Sequence, residues 1–242
     1  MTSFHSATFR LLRSEAQVSC AAVFAVESAE RRLGFRLPPS VREWYCNDEA
    51  IDILAKYSNQ DRPIPLEKFA ATEWNSLHLL PFKYENQGVC IWSICLDGSD
   101  DPPVYVGVDS DGKQWNMQAP TFSAHVYSCV WDHAFVLNQP ALVQAQNEPL
   151  SEETVGELRR CFSEQRPTFA WPGSRQHRFV GKGCAILIWA ADEQADWFVG
   201  ARDAKSLEAA LRIIWGFDGI GSSLYDCSEF GRAALEGIRS GA

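Results

Sequence analysis

The chain lacks an apolar run long enough to cross a membrane. The longest, CAILIWAA at 184–191, falls far short of the ~20 residues a helical span requires. It also lacks a clear export signal, because the one apolar stretch near the start, VSCAAVFAV at 18–26, is flanked by Glu15, Glu27 and Glu30 and no cleavage-type site follows it. A cytoplasmic protein is expected. The eight cysteines (20, 46, 90, 95, 129, 161, 184 and 227) include no CxxC pair and no dense cluster, so reduced, mostly buried thiols are the expectation. Cys90 and Cys95 differ by five positions, so on one strand they point to opposite faces and cannot share a metal ion.

Signatures of catalysis are missing too. VGKGCA (180–185) has neither the glycine spacing nor the terminal Lys-Ser/Thr of a phosphate-binding loop, and GFDGIGSS (216–223) has no lysine and no strand leading directly into it. There is no GxSxG and no HExxH. His125, Cys129 and His133 recur every four residues and form the best metal candidate, but a span of ~12 Å at 1.5 Å per residue is too long for one ion on an unbroken helix. Asp100 and Asp101 are adjacent, point apart when extended, and carry no mark of desolvation. No catalytic residue, metal or cofactor is expected, and the chain reads as a binder.

What is present is apolar material and acidity. At 242 residues, 46% hydrophobic and 12% aromatic, the chain can fill one large core or two modest ones. Its net charge of −9 is uneven: +2 over residues 1–45, −8 over 46–145 and −3 over 146–242. Such a surface repels phosphate backbones and anionic lipids, so nucleic acid and membrane are not expected partners, whereas a basic protein would be attracted. Nothing here specifies the oligomeric state.

Periodicity predicts an α+β fold. Helices are expected over 15–33, with Gly34 as the left-handed cap, after LPP with Pro39 in the opening turn, and through DEAIDILAKYS with Asn47 as N-cap. From residue 63 short apolar runs (IPLEKF, LHLLPF, GVCIWSICL, PVYVGV, KQWNM) read as an antiparallel sheet, and 121–137 as a closing helix. This forms a first domain over 1–143. The polar stretch 138–149, with two prolines, reads as a linker. A smaller α+β segment over 150–242 follows, made of a helix capped by Ser151, a hairpin (CAILIWA, DWFVGARD) and a helix. The hairpin faintly echoes GVCIWSI…PPVYVGVD.

DGSDDPPVYVGVDSDGKQW (97–115) gathers five aspartates around a proline pair. Lys113 and Gln114 stand where a calcium loop would need an oxygen ligand and a glycine, so a hairpin reversing at Asp111-Gly112 is the simpler reading. Tryptophans beside acidic turns are typical interface anchors. Trp115 follows this loop and Trp197 follows Asp192, Glu193 and Asp196, which makes them the two aromatic candidates.

ESAERRLGFRLPPSVREWY (27–45), with Glu30, Leu33, Gly34, Leu37, Pro38, Pro39 and Trp44, resembles the opening of the SUKH superfamily, which includes the SMI/KNR-type domain. IPLEKF, LLPF, GVCIW with Trp92, DDPPVYV and TFSAHV follow in order, so the resemblance covers roughly 15–143. CNDEAID replaces the Asn-Gly-Gly-like turn usual after the second helix, and the last 90 or so residues are not covered. The resemblance implies helices packed on an antiparallel sheet, no catalysis, and in bacteria an immunity protein that binds and neutralises a polymorphic toxin, often a nuclease. On that reading Asp97, Asp100, Asp101, Asp109 and Asp111 would meet the basic cleft of such a toxin. Two further classes stay open: an intracellular scaffold or regulatory module, and a hydrolase or metal enzyme at the junction of the two halves using His125 or His133.

Overall fold

The computed structural model describes residues 4–108, 114–166, 168–169 and 175–240. They form an α+β protein of two compact units, dividing between Val130 and Trp131. Each unit has its own core.

The first unit begins with four helices: α1 (Ser6–Leu12), α2 (Cys20–Leu33), α3 (Pro39–Tyr45) and α4 (Ala50–Lys56). Helix α2 starts later than periodicity predicts. Ser19 caps it by accepting the Ala22 N–H, while residues just before are drawn into extended contact with Asn47: the Gln17 N–H donates to Asn47 Oδ1 at 2.7 Å and Val18 forms a bridge to Asn47. That contact also corrects the expected cap of α4. Asn47's acceptor is committed to Gln17, and α4 begins after Glu49 with no side-chain cap. Gly34 does close α2 as expected, at φ 79°, with its N–H on the Glu30 carbonyl.

An antiparallel sheet follows, with β1 (Arg62–Pro63), β2 (Thr72–Trp74), β3 (Leu77–Tyr84), β4 (Cys90–Cys95), β5 (Val104–Val108) and β6 (Gln114–Ala119). The order is β1-β3-β4-β5-β6, with β2 also on β3. IPLEKF (64–69) follows β1 and is not itself a strand. Ile64 still donates to the Phe82 carbonyl, but Pro65 has no N–H to continue the ladder and 66–68 close into a 3-10 turn. Helix α5 (Phe122–Asp132) packs Phe122, Val126 and Val130 against Trp44, Phe82, Ile94 and Val104, all nearly inaccessible. Phe122 meets Phe82 edge-on with centroids 5.5 Å apart. Lys83, also buried, is held by Asp61 at 3.0 Å and lies 3.8 Å above the Trp92 ring.

The second unit is fuller than the sequence suggests. The helix through 121–137 changes to a π turn over His133–Leu137. The stretch read as a linker is β7 (Ala141–Asn147), paired on both sides. Its prolines, Pro140 and Pro149, lie just outside the strand, while Ala141, Val143 and Ala145 alternate into the core and Leu142, Gln144 and Gln146 take the other face. Helix α6 (Glu152–Cys161) opens on Ser151, which accepts the Thr154 N–H as expected. Strands β8 (Ser163–Glu164), β9 (Thr168–Phe169), β10 (Arg175–Gly181), β11 (Cys184–Ala190) and β12 (Ala195–Ala201), then α7 (Ala204–Ile214), α8 (Ile220–Ser223), β13 (Tyr225–Asp226) and α9 (Glu229–Ser240), complete it. The sheet runs β13-β7-β12-β11-β10-β8, with β9 on β10.

Strand β10 escaped sequence reading because its buried positions include Gln176, His177 and Arg178. The Arg178 guanidinium donates from Nε and Nη2 to the two Asp132 carboxylate oxygens at 2.6 and 2.7 Å and from Nη1 to Thr168 Oγ1 at 2.8 Å. A fully partnered charge of this kind is stable when buried but leaves no hydrophobic alternation to detect.

Candidate functional site

In the first unit a cleft of about 860 Å³ opens between α3 and the loop joining β4 to β5. Residues at the α2–α3 junction, Phe35 to Pro39, make one wall; Leu96 and Gly98 to Asp100 make the other; Phe4 and His78 complete it. Helix α3 contributes Pro39, Arg42 and Glu43 and its C-cap contributes Cys46, a spacing of i, i+3, i+4 and i+7 that places them on one helical face. Trp44 and Val41 occupy the opposite, buried face.

The walls are stiffened by contacts that account for the sequence pattern. Glu30, on α2, accepts the Leu37 N–H at 3.0 Å through one oxygen and the Arg42 guanidinium at 2.5 Å through the other, fastening the Arg36–Pro39 segment to both helices. Glu27 lies 3.6 Å from the same guanidinium, and the hydrogen bond to Glu30 raises the Arg42 pKa further above its ordinary value. Leu37 is buried, Phe35 packs edge-on to His78 at 5.9 Å, and Pro38-Pro39 restrict the backbone between them. Glu43 accepts the N–H groups of Phe4 and His5 at 3.1 and 3.0 Å. The Cys46 thiol at the cleft is pushed up by partial burial.

The aspartates of the adjoining loop have different employments. Asp101 is half-buried and caps α5: its carboxylate accepts the Ser123 N–H at 3.0 Å and the Ser123 hydroxyl at 2.5 Å. Both of its oxygens are thus engaged within the fold. Asp97 is exposed but closes a tight turn, accepting the Ser99 N–H and hydroxyl at 3.0 and 2.7 Å, and does not line the cleft. The Asp100 backbone carbonyl accepts the Ser40 N–H at 2.9 Å and ties the loop to the start of α3; the residue is exposed and is one of those lining the cleft. Asp109 and Asp111, and the expected reversal at Asp111-Gly112, lie outside the described residues, although β5 and β6 do pair up to Val108 and Gln114.

The two aromatic candidates separate. Trp197 is 1% exposed, on a core-facing position of β12, so it is not an interface residue. The acidic turn before it shows only that its neighbours are surface. Trp115 is half-buried on β6, its ring laid over Gly107, where an added Cβ would come within 2.9 Å of Cη2.

His125 is fully buried, edge-on to Phe82 at 5.3 Å, with Nδ1 2.5 Å from Gln118 Oε1 and Nε2 3.5 Å from Cys129 Sγ. The helix changes to a π turn only from His133 onward. Among the described residues no group of three His, Cys, Asp or Glu could hold a metal ion, and no helix is long and apolar enough to cross a membrane. None of the eight cysteines is in a disulfide, and against the expectation of mostly buried thiols only Cys90, Cys95 and Cys184 are buried, while Cys20, Cys161 and Cys227 are exposed.

The cleft was not legible as a site. Leu37-Pro38-Pro39 carried a helix-start signal and the aspartates a charge signal, but they are some sixty residues apart and meet only in the fold. No protein-family model matches the chain, and no curated protein or solved structure matches it.

Proposed function

We propose that this chain is a protein-binding module that works in the cytoplasm as an immunity protein, neutralising a toxin with a basic surface by direct contact. The observation that carries the reading is Asp100, an exposed acidic residue that lines the cleft and whose backbone is tied to α3 by the Ser40 N–H. An inhibitor needs contact groups fixed in advance, because ordering them at binding subtracts from affinity. Pro38 and Pro39 on one wall, Pro102 and Pro103 shortly after the other, the Glu30 bonds and the Asp101 cap supply that fixity. The −8 charge of residues 46–145 favours a basic partner, and a nuclease, which must hold an anionic substrate, is a toxin class with such a surface. The resemblance of residues 15–143 to the SUKH superfamily supports the same reading.

The test is affinity capture from the native organism with tagged chain, at low and at high salt, followed by mass spectrometry. One stoichiometric basic polypeptide, lost when Asp97 and Asp100 are both changed to Lys, is the expected result. Many substoichiometric partners would identify a scaffold, and capture indifferent to the charge reversal would remove the loop from the site.

A further inference from the structure

We infer that the cleft of the first unit takes a short partner segment in which a bulky apolar side chain stands next to Lys or Arg, the apolar group entering between α3 and the 96–100 loop while the cation meets Asp100. This rests on the protein-binding reading above and specifies what the bound segment contains.

The lining decides the chemistry. Phe4, Phe35, Leu37, Pro38 and Leu96 give an apolar interior, and about 860 Å³ lies within the ~300–1,000 Å³ range of sites that enclose a ligand. That space suits an aromatic or long aliphatic anchor, the kind of residue that carries most interface energy. The charges around it are largely committed. Arg42 is engaged by Glu30 and Glu27, and Glu43 receives two backbone N–H groups. Two exposed charged residues of the lining remain, Arg36 and Asp100, and they are not ion-paired to one another. Asp100 therefore sets where a cation is favoured, and Arg36 where one is repelled. The bond from Ser40 N–H to the Asp100 carbonyl fixes the carboxylate's backbone relative to α3, so the apolar space and the charge stand in a set relation.

The probes are three capped peptides, acetyl-Lys-Trp-Lys-amide, acetyl-Glu-Trp-Glu-amide and acetyl-Lys-Gly-Lys-amide, titrated to millimolar concentration into isotope-labelled full-length chain while amide shifts are followed. The Lys-Trp-Lys peptide is expected to move the Phe35, Leu37, Leu96 and Ser99 amides saturably and to bind about five-fold more tightly than either control. Asp100→Lys, which retains the backbone carbonyl, should abolish the preference over Glu-Trp-Glu without altering the remainder of the spectrum. Equal binding of Lys-Gly-Lys would overturn the apolar anchor, and equal binding of Glu-Trp-Glu would overturn the cation. Shifts elsewhere, or none, would overturn both. Capture of a basic partner unaffected by Phe35→Ala and by Asp100→Lys would sink this inference and leave the protein-binding reading standing. Saturable Lys-Trp-Lys binding without any captured partner would leave the cleft's preference for such a segment standing and overturn the toxin-neutralising role.

Discussion

Replacing Asp101 with alanine removes both acceptors that Ser123 uses at the start of α5. Thr121, which accepts the Ala124 N–H, remains as a local cap. The expected loss is about 1 kcal/mol of stability, read as a lower urea midpoint. Asp100→Lys should leave that midpoint within about 0.5 kcal/mol of the parent, since only an exposed side chain changes. If Asp100→Lys destabilised the chain as much as Asp101→Ala, the division of labour between these neighbours would be wrong. Sequence reading grouped the two by charge. A carboxylate's employment depends on which N–H groups face it, and Ser123 is twenty-two residues away.

His5 gives a pH-dependent counterpart. Its Nε2 lies 2.9 Å from the Ser40 carbonyl, its ring packs on Trp44 and Phe122, and burial holds its pKa below the ordinary value despite the opposing pull of Ser40, Glu43 and Asp101. The unfolded chain therefore takes up this proton before the folded one does. Stability should be fully present above a pH of about 6.5 and fall progressively as the pH drops below it. His177, in the other unit, is lowered mainly by burial and acts in the same direction. A urea midpoint lower at pH 5.5 than at pH 7.5, with a shallower fall in His5→Phe, is expected. An unchanged dependence in that variant would show that His5 contributes little to it.

Among the elements, those with local signals were legible and those held by distant partners were not. Gly34 at the end of α2 and Ser151 at the start of α6 behave as their residue types dictate, because a cap is completed within one turn. Strand β7 was hidden because small residues and glutamines have weak strand preference, and its place comes from pairing with β12 along its whole length. Strand β10 depends on the Asp132–Arg178 pair in the same way. Asp132→Ala would strand a guanidinium whose side chain is 1% exposed, at an expected cost of about 3–5 kcal/mol, measurable by chemical denaturation. A loss under 1 kcal/mol would mean that water reaches Arg178. Gly200 on β12 makes a second test, since an added Cβ would lie 2.6 Å from both Val136 Cα and its carbonyl oxygen in the π turn. Gly200→Val should destabilise the unit by at least about 1–3 kcal/mol through overpacking, and a variant of parent-like stability would indicate that the turn moves freely.

For the whole molecule, charge supplies the expectation. A net −9 concentrated in residues 46–145 acts over distances of about a Debye length, whereas cleft contacts act only after docking. Association with a basic partner should slow at least about ten-fold between ~50 mM and ~500 mM salt, with dissociation changing much less, as stopped-flow mixing would resolve. An association rate indifferent to salt would rule out steering by this surface. The division after Val130 rather than at a polar linker belongs to this scale as well. Composition marks a boundary where residues turn polar, but cores divide where side chains find partners, and Ala141, Val143 and Ala145 find theirs in the second unit.

The α+β class, helices α2 to α4 though not α1, the antiparallel pairing of the first sheet, the acidity and the absence of a membrane-length apolar run could be read from residue types and spacing, because they rest on periodicity, local capping and composition. The cleft, the separation of Asp100 from Asp101, the burial of Trp197 and the place of β7 came only with the tertiary structure. Each of these is a relation between residues far apart in the chain, and side chains of the same type take different roles according to what folding brings against them.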